Sequence, residues 1–303
     1  VKTAYGDGGG VEMKTSYSDR AFVTVIHVVL LMLVVVTLYP LLYVTFASFS
    51  DAGLLITHKG FLFKPLGFSL EAYKSVFHNP AILTGYQNTL FILVFGVITN
   101  LIVTSLGAYV LSRKNVMWNR VFIFVVVLTM FFHGGLIPLY LVVKGVGLID
   151  SLWATILPFA INTFNLIIMR TAFMAVPESL EESAKMDGAN HFVILFRIII
   201  PLSMPVIAVM ILYYAVEKWN GWFYASIFLK DRDLYPLQLT LREILIANNT
   251  DSMSSGANAA EQFQIGETIK YATIMVASVP ILILYPFVQK YFVKGVMIGA
   301  VKG

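Results

Sequence analysis

Residues 81–111 read AILTGYQNTLFILVFGVITNLIVTSLGAYVL, thirty-one in a row without Asp, Glu, Lys or Arg. A helix needs about 20 apolar residues to cross about 30 Å of hydrocarbon, so this segment can span a bilayer with some tilt. Five more windows share the property: 21–49 with twenty-nine residues, 121–143 with twenty-three, and 151–169, 198–216 and 271–289 with nineteen each. A charge at mid-helix costs about 2.5–3.5 kcal/mol on insertion scales, so six charge-free windows are a selected pattern. Barrel strands would be about 10 residues long with polar alternation, which is absent here.

The composition agrees with this reading. Hydrophobic residues make up 58% of the 303 and charged residues 13%, with a mean hydropathy of +0.80. Soluble domains carry about 25% charged residues, which excludes an ordinary water-soluble enzyme. Disorder requires low hydrophobicity and is excluded too. Without cysteine there is no disulfide framework, zinc–thiolate site or thiol nucleophile. The first window exceeds the usual 7–15-residue core of a signal peptide about twofold and is followed by five others, so it is expected to be retained. The expected fold is an all-α integral membrane protein of six transmembrane helices.

Lys and Arg set the orientation. With the N-terminus inside, the inner segments hold Lys2, Lys14, Arg20, Arg113, Lys114, Arg120, Arg170, Lys185, Arg197, Lys290, Lys294 and Lys302, twelve basic residues against seven acidic. The outer segments hold nine basic and ten acidic. The short 113–120 turn is purely basic, which carries most weight and places both termini in the cytoplasm. The net charge of +4 is then a matter of topology and does not imply nucleic acid. The chain divides into a cytoplasmic tail (1–20), a first span with its outer segment (21–80), a core (81–290) with an inner loop at 177–201 and an outer loop at 217–270, and a second cytoplasmic tail (291–303). Residues 70–77 are expected to form a short amphipathic stretch, and 248–260, rich in Asn, Ser, Gly and Ala, a mobile loop.

The inner loop is the most informative polar segment. Residues 176–205 read VPESLEESAKMDGANHFVILFRIIIPLSMP. Pro177 suits a first helical position, and Glu178, Glu181 and Glu182 suit the positive end of a helix dipole. Ser183 and Ala184 are small and are expected on one face, and Gly188 can end the helix in a left-handed conformation. A second helix is expected from near Asn190 to Pro201. On propensity alone this is an ordinary interfacial helix pair; as a function, it is a handle that another protein can approach closely.

The residue string resembles the EAA loop of ABC importer permeases, whose pattern is E-A-A, three residues, G, nine residues, I-x-L-P. Glu182-Ser183-Ala184, Gly188 and Ile198-Ile199-Ile200-Pro201 take those places, with Ser183 for alanine and Ile200 for leucine. Asp187-Gly188-Ala189 also fits. The resemblance extends over about residues 15–303, through Asn88-Thr89-Leu90, Phe132-His133-Gly134-Gly135-Leu136-Ile137-Pro138, Asn165-Leu166-Ile167-Ile168-Met169-Arg170, Trp219-Asn220 with Trp222, and Tyr235-Pro236-Leu237-Gln238. It is similar to the carbohydrate-uptake group of MetI-like permeases, specifically the second permease of maltose-type and alginate/polysaccharide-type systems.

The resemblance implies a type I importer fold in a bacterial inner membrane. It implies a second homologous permease, two ABC ATPase subunits that bind ATP and Mg, and an extracytoplasmic sugar-binding protein as partners. Glu182, Ser183, Ala184, Asp187, Gly188, Ala189 and Pro201 would couple the chain to an ATPase. The chain would hold no cofactor, metal or catalytic residue of its own. It has no G-x-x-x-x-G-K-[ST] phosphate loop, consistent with a motor located on a partner.

Sugar-contact candidates within the spans are Asn88, Asn100, Asn162, Asn165, Tyr213 and Tyr214; the competing reading for each is hydrogen bonding between helices. Trp219, Asn220, Trp222 and Tyr224 are candidates for a loop that meets the binding protein, with an interfacial aromatic belt as the alternative. Gly96, Gly107, Gly134 and Gly135 are expected to permit close helix packing. An ion-coupled carrier usually places acids or histidines at mid-membrane. Here only His27 and His133 lie inside the windows, and no carboxylate does. A channel or scaffold would not need the 177–201 segment.

Overall fold

The computed structural model describes residues 17–246 and 266–283, and the regular elements there are helical apart from one antiparallel bridge between Ser50 and Phe68. Expectations for residues 1–16, for 248–260 and for the tail holding Lys290, Lys294 and Lys302 fall outside the described residues.

Helix α1 (Tyr17–Ser48) contains Pro40, and its most apolar window is 0% buried by the rest of the chain. A small folded cap sits at its end. Asp51 accepts Leu54 N–H at 3.1 Å and so starts α2 (Ala52–Thr57), and the Tyr39 hydroxyl accepts Leu62 N–H at 3.0 Å. Helix α3 (Glu71–His78) falls one residue later than the expected 70–77. Asn79 then caps α4 (Pro80–Ser112) by accepting Ala81 N–H at 2.9 Å, and Pro80 occupies the first turn, where its missing N–H goes unnoticed.

Three charge-free windows are bent, not straight. Helices α5 (Asn119–Phe131) and α6 (Leu136–Gly145) meet at 115° across a break at residues 132–135. Tight 3₁₀ turns at Leu152–Thr155 and Leu157–Phe159 lead at 51° into α7 (Thr163–Met174). The polar helix α8 (Glu178–Met186) follows. Then α9 (His191–Ile194), a π turn (Leu195–Ile199) and α10 (Ile200–Leu202) run into α11 (Met204–Trp219) through an 88° bend at Ser203. Pro201 and Pro205 straddle that bend and cannot donate to carbonyls one turn back, so the ladder opens there. The chain closes with α12 (Phe223–Phe228), a 3₁₀ turn (Arg232–Leu234), α13 (Leu237–Ile246) and α14 (Gly266–Ile283). The described residues thus offer three continuous apolar helices and three bent pairs as candidate spans. The first part of the expected outer loop, 217–246, is a series of short helices joined by turns, and α13 packs back on α4.

Helix α4 is the axis. Ile92, Gly96, Asn100, Thr104 and Ala108 recur every four residues along its buried side, and α7, α11 and α13 pack on it. A Cβ at Gly96 would lie 3.2 Å from the Lys218 stem, and one at Gly107 3.1 Å from Leu166, so both glycines serve close packing as expected. Gly134 and Gly135 do not. A Cβ at Gly134 would meet nothing within 4 Å, and Gly135 has φ +87°, so the pair marks the α5–α6 break. Gly85 supplies the closest backbone approach: a Cβ there would lie 3.1 Å from Leu237 Cα on α13. One core gathers α4, α7, the π turn and α11 around Met169, Phe173, Ile194 and Tyr214. A second gathers α3, α4, α13 and α14 around Val76, Leu237 and Ile269.

The backbone at Leu237 cannot yield as a side chain tip can. Gly85→Val is therefore expected to cost about 1–3 kcal/mol by overpacking. It should lower the thermal melting point of the detergent-solubilised protein. Gly145→Val, where a Cβ meets nothing within 4 Å, should leave it in place.

Candidate functional site

Helix α8 stands on one buried carboxylate. Glu181 is 6% exposed. It pairs with Arg113, which follows α4 directly, and with Lys185 at 3.0 Å. The Tyr109 hydroxyl, one turn before Arg113, lies 3.5 Å from Glu181 Oε1 and 2.8 Å from His191 Nδ1. Arg113 also donates to the Phe173 carbonyl at 3.3 Å, and Arg170 Nε donates to the Leu111 carbonyl at 2.8 Å. Burial pushes the Glu181 carboxyl up, but Lys185 and Arg113 outweigh it and hold the group below its ordinary value. A depressed value means the pair contributes fully above the ordinary carboxylate pKa of 4.5 and is lost only as pH falls further. The outer pair, Lys114–Glu178 at 3.1 Å, is exposed on both sides and contributes little.

The far end of α8 closes on a glycine turn. Gly188 N–H donates to the Lys185 carbonyl at 3.0 Å and Ala189 N–H to the Ala184 carbonyl at 2.9 Å. Gly188 has φ +80°, so the left-handed stop expected from the sequence is present. Asn190 caps α9 by accepting Val193 N–H at 2.9 Å, also as expected. Two details differ. Pro177 precedes the first helical residue, and Ser183 and Ala184 do not share a face. Ala184 turns inward against the core while Ser183 is exposed and donates to the Ser179 carbonyl at 2.9 Å. The outward surface includes Glu182, Ser183, Met186, Asp187 and Gly188, beside the exposed Leu180 and Lys185, with Met186 89% exposed. Sequence reasoning missed Met186 and the Glu181 anchor. The one available signal was a third acid on a nine-residue helix beside a basic turn 68 residues away.

The polar residues inside the spans make bonds within the chain. Asn88 donates to the carbonyls of Asp233 at 2.8 Å and Tyr235 at 3.1 Å. Asn100 donates to the Phe159 carbonyl at 2.7 Å, while its own carbonyl oxygen is buried without a partner. Asn162 caps α7 through Asn165 N–H at 3.2 Å, and Asn165 is buried. Tyr214 shares a 2.7 Å bond with Thr104, and Tyr213 packs half-buried beside the same core. Trp219 is 7% exposed and belongs to the second core, so it is not part of a projecting loop. Asn220, Trp222 and Tyr224 remain at the surface. Lys218, which nothing in the sequence singled out, is 6% exposed, and its ammonium donates to the Thr155 carbonyl at 3.4 Å.

A bundle of straight and bent apolar helices with one anchored polar helix beside them is the architecture of a membrane-embedded protein. Residues 92–298 match the family model described as binding-protein-dependent transport system inner membrane component. The chain is 43% identical over 290 residues to the polygalacturonan/rhamnogalacturonan transport system permease protein YtcP of Bacillus subtilis (strain 168), covering 94% of this chain and 99% of that protein. It is 42% identical over 273 residues to protein LplC of the same organism, covering 88% and 90%. A crystal structure of a bacterial ABC transporter involved in the import of the acidic polysaccharide alginate contains a chain that superposes with TM-score 0.84 at 36% identity, covering 91% of this chain and 98% of that one. The protein belongs to the binding-protein-dependent transport system inner membrane component family and is a permease subunit of an ABC importer.

Glu181→Gln removes the charge that holds Arg113. Breaking one partner of a buried pair costs about 3 kcal/mol or more, or roughly 100-fold in an opening equilibrium. Hydrogen exchange of the α8 amides should accelerate by about that factor, while the α4 amides stay protected.

Proposed function

We propose that α8 is the element through which partner ATPase subunits drive this permease, and that the cargo is an oligosaccharide or a polysaccharide fragment. The observation that carries the coupling reading is the outward surface of α8, held rigidly by Glu181 while Met186 stands almost wholly uncovered. A nine-residue helix presenting an apolar tip with a carboxylate rim is suited to seating in another protein's cleft. The cargo reading draws on relatives named for the transport of polygalacturonan/rhamnogalacturonan and arabinooligosaccharides.

In this reading each bent pair counts as one span, giving six, with both termini and α8 on the ATPase side of a bacterial inner membrane. A second homologous permease completes the pathway. ATP and Mg bind the ATPases, and an extracytoplasmic binding protein delivers the sugar. Closure of the ATPase dimer draws the α8 helices together and shifts the bundle between two packings, each biased by a ligand at one face.

The absence of cysteine makes the test clean. Met186→Cys should cross-link to a single cysteine in the ATPase cleft, in a yield that changes when ATP is added. Gly188→Asp should leave assembly intact, since Asp, like Asn, adopts a left-handed backbone more readily than most non-glycine residues. It should also lower sugar-stimulated ATP hydrolysis severalfold in proteoliposomes. Wild-type uptake and stimulation in Gly188→Asp, together with no cross-link at Met186, would remove α8 from the coupling role.

A further inference from the structure

An aromatic run with a cation at each end lies where α12 begins. Arg242 on α13 sits 4.4 Å over the Trp222 ring. From Trp222 the rings continue edge-on to Phe223 at 5.6 Å and to Tyr224 at 5.3 Å, and Tyr224 lies 4.3 Å from Phe159. Lys218 closes the inner end, 5.7 Å over Phe159. Trp222, Phe223 and Tyr224 are 36%, 46% and 38% exposed, and Arg242 is exposed beside them. Neither cation is joined to a carboxylate by an ion pair among the described residues; the neighbouring Glu243 is taken by Arg232 at 3.7 Å.

We propose that Trp222, Tyr224 and Arg242 form a subsite for an oligosaccharide that carries carboxylates, with the uronate group seated on Arg242. Sugar rings present C–H faces that stack on aromatic rings. A guanidinium over an indole at this distance can still turn its N–H groups to a carboxylate for a two-point bond. An aromatic belt at the lipid headgroups, where arginine also anchors, is the competing reading, and it predicts no preference between an acidic sugar and its neutral counterpart. This subsite rests on the carbohydrate reading of the cargo and narrows it to the acidic class.

The test uses the assembled importer in nanodiscs without binding protein. A galacturonic acid tetramer and its carboxyl-reduced neutral twin are measured by equilibrium dialysis. The wild type should hold the acid about tenfold more tightly than the twin, as for one charge-assisted hydrogen bond. Arg242→Gln should erase that preference by weakening the acid alone, and Arg242→Lys should retain part of it. Trp222→Ala should weaken both sugars together, because stacking does not sense the carboxylate. Equal wild-type affinities, an Arg242→Gln effect shared by both sugars or absent, or no binding of either sugar overturns the subsite. The parent reading is judged separately, by whether sugar-loaded binding protein stimulates ATP hydrolysis in the same particles.

Discussion

The ion pair between Arg113 and Glu181 joins the end of the longest described helix to the short acidic helix α8 and the polar turn that follows it. An arginine one residue past a window of thirty-one charge-free residues must leave the hydrocarbon, and a short acidic helix laid across that exit gives it a partner. Because Glu181 is buried and bonded from Arg113, Lys185 and Tyr109, α8 has one seat and one orientation. The faces available to other proteins follow from that seat: Ala184 is turned in, and Glu182 and Met186 are turned out.

Within the bundle the same economy holds in another medium. Backbone groups at membrane depth must find partners inside the protein. The turns at residues 152–159 break the helical ladder, and the carbonyls of Thr155 and Phe159 are met by Lys218 and Asn100 from α11 and α4. One turn further along the same two helices, Tyr214 and Thr104 bond each other. A polar seam between α4, α11 and the broken segment therefore makes that break tolerable. It also explains why polar side chains that looked available for a sugar are occupied by their neighbours.

The apolar windows were legible because the cost of a charge in lipid is read directly from composition. The stop of α8 and the start of α9 were legible, since Gly188 and Asn190 have local and specific backbone preferences, whereas the start of α8 fell one residue after Pro177. The bends were harder. A charge count passes over Ser203, Pro201 and Pro205, all uncharged, and their effect depends on which carbonyls lose donors one turn away. Lys218 went unremarked because its partner is a main-chain carbonyl 63 residues distant, set by a turn that no side-chain pattern announces. The orientation of Ser183 and Ala184 depended on which flank of α8 the Glu181 anchor selects, and that is a tertiary fact.

Helix α4 is gripped at both ends. Near its start Asn88 holds the carbonyls of Asp233 and Tyr235, Thr89 accepts Leu237 N–H at 2.8 Å, and Gly85 lies against α13. At its other end it carries the seat of α8. The distance from Asn88 to Arg113 along an unbroken helix is roughly 37 Å at 1.5 Å per residue. A rod of that length pivoting by about 10° swings its far tip by about 6 Å, more than one helical turn of rise. Whatever pivots α4 about its contacts with α13 thus moves the α8 seat far more than the pivot itself, as at the free end of any lever.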